Sequence, residues 1–128
     1  MYAIDRIEAN WHKAASTKNV DLMMSLWAPD ATFNNGPETF TGKAEIRKFF
    51  TTMAGPFKPE NHWLSDTPAY KIRITVNGDR GTLFFECHYA DPKTEKVVFV
   101  TAADADVQRI DGRWLITSLA AGTPTLSP

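Results

Sequence analysis

The sequence predicts a single α+β domain, with helices in its first half and an antiparallel sheet in its second half. Apolar residues recur at helical spacing up to about residue 54, whereas from about residue 63 apolar and polar residues alternate as in strands. The length of 128 residues fits one domain. We place this domain at residues 1–122 and a C-terminal tail at residues 123–128.

Three helices are predicted from apolar spacing and from residues that start or stop helices. The first covers about residues 2–16. The second begins after the N-cap Asn19, continues to Trp27 and stops just before a proline. The third opens at Thr41 and ends at Gly55. Their apolar faces are formed by Ile4, Ile7, Trp11, Leu22, Met23, Leu26, Ile46, Phe49 and Phe50.

Strands are predicted where short apolar runs or alternating patterns end at turn residues. They cover residues 30–34, 70–76, 82–89, 97–110 and 113–121. Turn signals at Asn77-Gly78-Asp79, at residues 91–95 and at Asp111-Gly112 join the last four strands into an antiparallel meander.

Hairpin geometry predicts which strand residues share a face of the sheet. A two- or four-residue loop around Lys93-Thr94 pairs His88 with Phe99, and the Asp111-Gly112 turn pairs Val107 with Ile116. The face toward the helices is then expected to carry Phe84, Glu86, His88, Phe99, Thr101, Ala103, Ala105, Val107, Trp114 and Ile116. The outer face is expected to carry Leu83, Phe85, Cys87, Tyr89, Val98, Val100, Leu115 and Leu119.

The turn before Arg80 permits two registers. A three-residue loop pairs Tyr70 with Glu86, whereas a two-residue loop places Lys71 and Arg73 on the face expected to be buried. Because burying two cations is costly, we favour the three-residue loop. The outer face is also apolar, so we expect a second copy of the chain to cover it and form a homodimer.

Charge and cysteine content exclude several classes of function. With 14 basic and 15 acidic residues and no basic stripe, the chain is expected to bind neither nucleic acid nor a membrane. The single cysteine, Cys87, cannot form an internal disulfide, and the first residues do not resemble a signal peptide, so a cytoplasmic protein is expected. Cys87 is expected to be inert on the outer face.

Four segments, in this order and spacing, resemble the nuclear transport factor 2-like superfamily, in its SnoaL-like polyketide cyclase and ketosteroid isomerase-like branch. They are Leu26-Trp27-Ala28-Pro29-Asp30-Ala31-Thr32-Phe33, Phe40-Thr41-Gly42-Lys43-Ala44-Glu45-Ile46, Val76-Asn77-Gly78-Asp79 and Arg109-Ile110-Asp111-Gly112-Arg113-Trp114-Leu115-Ile116. The resemblance implies a cone-shaped fold, with a curved antiparallel sheet wrapped around three N-terminal helices, a deep pocket and frequent dimers.

The resemblance does not imply one activity, because the superfamily contains isomerases, dehydratases, cyclases, epoxide hydrolases and binding domains. Relatives often place a histidine where we align Tyr70, and Tyr and Asp where this chain has Ala103 and Ala105. The activity therefore depends on which residues line the pocket.

The expected chemistry is cofactor-independent acid–base catalysis on a hydrophobic molecule, by cyclisation, dehydration or isomerisation. His88 is the candidate base or acid, Glu86 its partner and Tyr70 the oxyanion donor, with Asp30 as a further catalytic candidate. His62 and Asp66 are expected to lie in a solvated loop. The candidate substrate-binding residues are Trp11, Phe33, Phe50, Phe84, Phe99 and Trp114.

Two alternatives to this enzyme remain open: a non-catalytic binding or dimerisation module, and an epoxide hydrolase. No cofactor is expected, because phosphate-binding and nucleophile-elbow motifs are absent from the sequence. Asp104 and Asp106 are expected to face away from the pocket without a histidine at ligand spacing, so no metal site is expected.

Overall fold

The structure, a computed structural model, describes residues 2–65 and 71–125. Within these residues the fold is α+β, as the sequence predicts. The helices are α1 (Tyr2–Thr17), α2 (Val20–Met24) and α3 (Gly42–Thr52), followed by a short 3-10 turn at Gly55–Phe57. The strands are β1 (Trp27–Asn35), β2 (Glu38–Thr41), β3 (Leu64–Ser65), β4 (Lys71–Asn77), β5 (Arg80–Ala90), β6 (Val97–Ile110) and β7 (Arg113–Ala121).

The strands form one curved sheet in the order β2-β1-β7-β6-β5-β3, with β4 also paired to β5. All pairs are antiparallel except β1 and β7, which run parallel, so the sheet is mixed rather than purely antiparallel. A strand's own alternating pattern does not say which distant strand it will join, and the β1–β7 pair is therefore missing from the sequence prediction.

The segment before Pro29 differs from the prediction. The second helix ends at Met24 and Trp27 already belongs to β1. The cause is tertiary pairing, because Trp27 lies opposite Ile116 of β7 and the Leu26 carbonyl accepts a 2.8 Å hydrogen bond from the Ile116 amide. The fully buried Trp27 ring thereby enters the core from a strand.

Helix α1 packs on the inner face of the sheet, where it contacts β3, β5 and β7. Its residues at helical spacing are buried as predicted, including Ile4, Ile7 and Ala14. Helix α3 packs against β1 and β2 at the other end of the sheet. Among the described residues no helix is long and apolar enough to cross a membrane.

Candidate functional site: a cavity inside the cone

Two β-bulges decide which side chains face the interior. At the β5–β6 loop Ala90 lies opposite Val97, in the expected register, but the bulge beyond this pair puts Tyr89 opposite Phe99. A one-residue shift moves every following side chain to the other face. The inner face of β5 therefore carries Leu83, Phe85, Cys87 and Tyr89, and the predicted assignment for this strand is wrong.

The second bulge lies in β7. Val107 pairs with Ile116 as predicted, but beyond Thr117 the register shifts and Ala105 pairs with Leu119. Trp114 and Ile116 face inward as predicted, whereas Leu119 also faces inward, contrary to the prediction. The Thr117 hydroxyl donates a 3.2 Å hydrogen bond to the Asp106 carbonyl at this point.

The β4–β5 turn is the two-residue type, with Asn77 opposite Arg80. The three-residue loop favoured from the sequence is therefore wrong. Lys71 and Arg73 share a face with Phe84, as the two-residue loop requires, but that face is the outer one and both cations are exposed. The Arg73 guanidinium lies 4.2 Å from the centre of the Phe84 ring.

Glu86 and His88 lie on the outer face, so the prediction that they face the interior is wrong. Glu86 is nevertheless fully buried, because residues that follow β7 fold back across the sheet. The Thr125 amide donates to Oε1 of Glu86 at 3.1 Å, and the Thr125 hydroxyl donates to Oε2 at 2.6 Å. Gly122 anchors the same segment through the Ala102 carbonyl at 2.8 Å. This part of the predicted tail is thus held against the sheet.

The interior holds a cavity of about 330 Å³ between α1, α3 and the inner face of the sheet. Most of its wall is apolar, and aromatic rings dominate it. The aromatic lining residues are Trp11, Phe33, Phe49, Phe50, Phe57, Phe85, Tyr89 and Phe99. Polar side chains reach it from Asn35, Thr101 and Tyr89. No carboxylate or imidazole from residues 2–65 or 71–125 lines it.

Only some of the predicted site residues line this cavity. Of the six candidate binding residues, four line the cavity, namely Trp11, Phe33, Phe50 and Phe99. Phe84 lies on the outer face, and Trp114 faces inward beside Arg109, away from the cavity.

The remaining polar candidates do not line the cavity. Asp30 and His62 are exposed. Asp104 and Asp106 lie on the outer face, as predicted. Tyr70 and Asp66 lie outside the described residues.

A buried polar cluster stands behind the cavity wall. Glu8 and His12, one helical turn apart on α1, are each about 4% exposed. The protonated Nδ1 of His12 donates to the Glu8 carbonyl at 2.8 Å, and it lies 2.9 Å from Oε1 of the Glu8 carboxylate. On the sheet side, the Cys87 side chain raises the pKa of His12 and that of Tyr89.

Burial and neighbouring side chains shift the pKa of His12 and the pKa of Tyr89. Burial lowers the pKa of His12, but interactions with Cys87 and Glu8 outweigh burial and raise that pKa to about 10. Burial raises the pKa of Tyr89 well above its usual value, and Cys87 raises it further. At neutral pH the cavity wall therefore presents a protonated phenol, with an imidazolium behind it.

The sequence contained a signal for part of this cluster. The helical stripe through Ile4, Ile7 and Trp11 also passes through positions 8 and 12, so Glu8 and His12 fall on the buried face of α1. Two ionisable residues one turn apart on such a face are a recognisable candidate pair. Cys87 and Tyr89 were missed because the bulge reversed their face.

The family is identified by a match in sequence. The model of the SnoaL-like domain family matches residues 9–116. The chain therefore belongs to the SnoaL-like domain family. No curated protein sequence matches the chain.

Solved structures show the same fold at low sequence identity. An NTF2-like protein with a cystatin-like fold from Novosphingobium aromaticivorans superposes with a TM-score of 0.79 at 17% identity, covering 98% of this chain and 82% of its own. A protein of unknown function with a cystatin-like fold from Nostoc punctiforme superposes with a TM-score of 0.78 at 18% identity. The match covers 98% of this chain and 92% of that protein. An NTF2-like superfamily protein from Salmonella enterica superposes with a TM-score of 0.71 at 16% identity. The match covers 98% of this chain and 91% of that protein.

Proposed function

We propose that this SnoaL-like domain binds a small, flat, mainly apolar molecule that carries one hydrogen-bonding oxygen. The observation that supports this most is the aromatic cavity of about 330 Å³ with so few polar side chains. Ligand sites typically combine apolar walls with a few polar groups that fix orientation. The volume lies near the lower end of the range for ligand pockets, about 300–1,000 Å³, and so favours roughly two fused rings.

Tyr89 is the group that selects the ligand's oxygen. Because its raised pKa keeps the phenol protonated, the hydroxyl acts as a donor toward a carbonyl oxygen or an oxygen that gains negative charge. Thr101, on the neighbouring strand, offers a second hydroxyl at the cavity wall. In an otherwise apolar cavity, such a donor favours a ketone over a hydrocarbon of the same shape.

Cofactor-independent acid–base catalysis on the same molecule is the second candidate. The buried Glu8–His12 pair behind the wall supports it, because a nearby imidazolium stabilises negative charge that develops on a substrate oxygen. Isomerisation, dehydration and cyclisation share that need. Epoxide hydrolysis has less support, because no carboxylate within the described ranges lines the cavity to position a water.

Filling the cavity is expected to abolish binding. Ala103 lines the wall, and Ala103→Phe should lower the affinity for naphthalene and for 2-acetonaphthone at least tenfold because its ring occupies the ligand's volume. Tyr89→Phe should weaken only the ketone, by about 3- to 10-fold, the usual worth of one hydrogen bond. Quenching of tryptophan fluorescence by each probe measures both effects.

Ala44→Phe on the exposed surface of α3 is the matched control and should bind both probes like wild type. Circular dichroism checks that Ala103→Phe remains folded. Equal binding of both probes by wild type and Ala103→Phe would rule out the cavity as the site. Consumption of a carbonyl compound by wild type, reduced in Tyr89→Phe, would favour the enzyme over the binding module.

A homodimer through the outer sheet face is the partner we propose. Leu83, Phe85 and Leu119 face inward and cannot contribute to it, so the outer face has less apolar surface than the sequence predicts. Charge complementarity now supports it, because a groove on this face has Arg73 on β4 and Asp104 and Asp106 on β6. In the proposed dimer, a two-fold axis near β5 places the arginine of each copy over the aspartates of the other.

Arg73→Glu is expected to convert a dimer into a monomer at micromolar concentration, because it places like charges opposite each other. Adding Asp106→Arg should restore the dimer, and Lys93→Glu in the exposed β5–β6 loop should have no effect. Light scattering measures the mass in each case. A monomeric wild type would contradict the proposed dimer.

A further inference from the structure

Glu8 and His12 each bury a polar atom that has no hydrogen-bond partner within the described residues. These atoms are Oε1 of Glu8 and Nε2 of His12. The single hydrogen on Nδ1 of His12 goes to the Glu8 carbonyl at 2.8 Å, so Oε1 lies 2.9 Å from the same nitrogen without receiving a hydrogen bond. Buried polar atoms are nearly always paired, and two unpaired atoms in one buried pair therefore point to a group that binds there.

The ring of Phe85 lies between this pair and the cavity. It lines the cavity, and its centre lies 6.1 Å from the centre of the His12 ring and 5.3 Å from that of Trp11. Phe85 is on the inner face of β5, which α1 contacts. Nδ1 of His12 is tied to α1, whereas Nε2 lies on the part of the imidazole away from that anchor. Rotation of one phenyl ring away from His12 therefore joins the apolar cavity to a polar recess.

The two unpaired atoms complement a hydroxyl group. Oε1 belongs to a carboxylate and only accepts, and contact with that carboxylate favours the protonated imidazole, whose Nε2 donates. The two atoms are separated by at most the width of one imidazole ring plus 2.9 Å, a span that a single oxygen can bridge. A hydroxyl donates to Oε1 and accepts from Nε2. An ether or a ketone leaves Oε1 unpaired, and the charge of Glu8 repels a carboxylate.

We propose that Phe85 is a gate, and that Glu8 and His12 behind it form a subsite for a hydroxyl group of the bound molecule. This inference rests on the ligand binding proposed above and adds a hydroxyl to the chemistry of that ligand. The ring moves aside when such a ligand enters, and two charge-assisted hydrogen bonds offset the cost of moving it. A ligand without a hydroxyl leaves the gate closed and does not use the subsite.

The test compares the binding of naphthalene, 2-methoxynaphthalene and 2-naphthol at neutral pH by quenching of tryptophan fluorescence. The hydroxyl preference is the Kd of naphthalene divided by the Kd of 2-naphthol. In wild type we expect a preference of at least about tenfold, the usual worth of a hydrogen bond to a charged group. 2-Methoxynaphthalene keeps the oxygen but cannot donate, so it should lose most of this gain.

Replacing both members of the pair, with Glu8→Met and His12→Phe together, should lower the hydroxyl preference to about threefold or less, the part that Tyr89 and Thr101 can supply. Naphthalene should bind as in wild type. The double replacement leaves no unpaired buried charge, so it is better tolerated than either single change. If it fails to fold, Glu8→Gln keeps the shape, removes the charge and should lower the preference by a smaller factor. The exposed His62→Phe is the matched control and should bind all three probes like wild type.

The gate is tested by changing its ring. Phe85→Leu should raise the hydroxyl preference by about threefold or more, because the apparent affinity no longer includes the cost of moving the phenyl ring. Phe50→Leu makes the same change at another ring that lines the cavity, one that packs on Trp11 and Phe33. It should leave the hydroxyl preference at the wild-type value.

Two results would overturn the inference while naphthalene still binds. One is a 2-naphthol that binds wild type no better than naphthalene. The other is a full hydroxyl preference in the double variant, since the oxygen is then bound by Tyr89 or Thr101. Both leave the proposed binding function intact. Binding of 2-naphthol alone, lost in the double variant, would instead contradict only the apolar binding proposal, and binding of neither probe would contradict both.

Discussion

Trp27→Ala is expected to lower the free energy of unfolding by about 3–5 kcal/mol, the usual cost of truncating a buried aromatic residue. The Trp27 side chain is fully buried, and its ring centre lies 5.9–6.2 Å from those of Trp11, Phe33 and Phe50. These three rings line the cavity, so the variant also removes the support behind the wall. Urea unfolding followed by circular dichroism measures the loss.

Trp63→Ala is the matched control. Trp63 packs on Phe99 with ring centres 5.5 Å apart, but it is only partly buried. Its replacement removes the same number of atoms from a more solvated position and should cost clearly less. Equal losses for the two tryptophans would mean that Trp27 is not the centre of the aromatic core.

His12 is expected to make the stability of the protein fall at alkaline pH. Its pKa is raised from 6.5 to about 10 in the folded state, so folding stabilises the protonated ring. This contribution is fully present below pH 6.5 and disappears as pH rises through about 10. Between these values the folded state binds more protons, and stability should fall by up to about 1.4 kcal/mol per pH unit.

His12→Gln removes that contribution. Compared with wild type, it should be less stable by several kcal/mol near pH 6, and the difference should shrink steadily toward pH 10. Denaturant midpoints recorded across this range measure the trend. His62→Gln, an exposed replacement of the same kind, should run parallel to wild type. A difference between His12→Gln and wild type that does not change with pH would contradict the protonated imidazole.

The sequence predicted the first and third helices and strands β4 to β7 closely, because each depends on nearby residues. Asp111 and Gly112 both adopt positive φ, as their turn requires, and the strand boundaries around them agree with expectation. The class of fold follows from those local patterns.

The faces of the sheet were harder to predict because they depend on bulges. The register at each hairpin end was correct for Val97 and for Ile116, but one extra residue further along reversed the faces beyond it. As a result, Cys87 and Tyr89 face the interior, where Glu86 and His88 were predicted to lie. No property of Val98 or Thr117 alone marks a bulge, so the site could not be assigned correctly from the sequence.

The parallel pairing of β1 with β7 constrains the order of events during biosynthesis. In the structure β1 pairs with β2 and with β7. During synthesis the short β2 follows β1 at once, whereas β7 lies about 80 residues further along the chain. The aromatic residues of the first half therefore have no complete sheet to pack against until β7 has been translated. An early chain of this kind exposes apolar rings to other proteins, and we expect chaperones to engage it before β7 emerges.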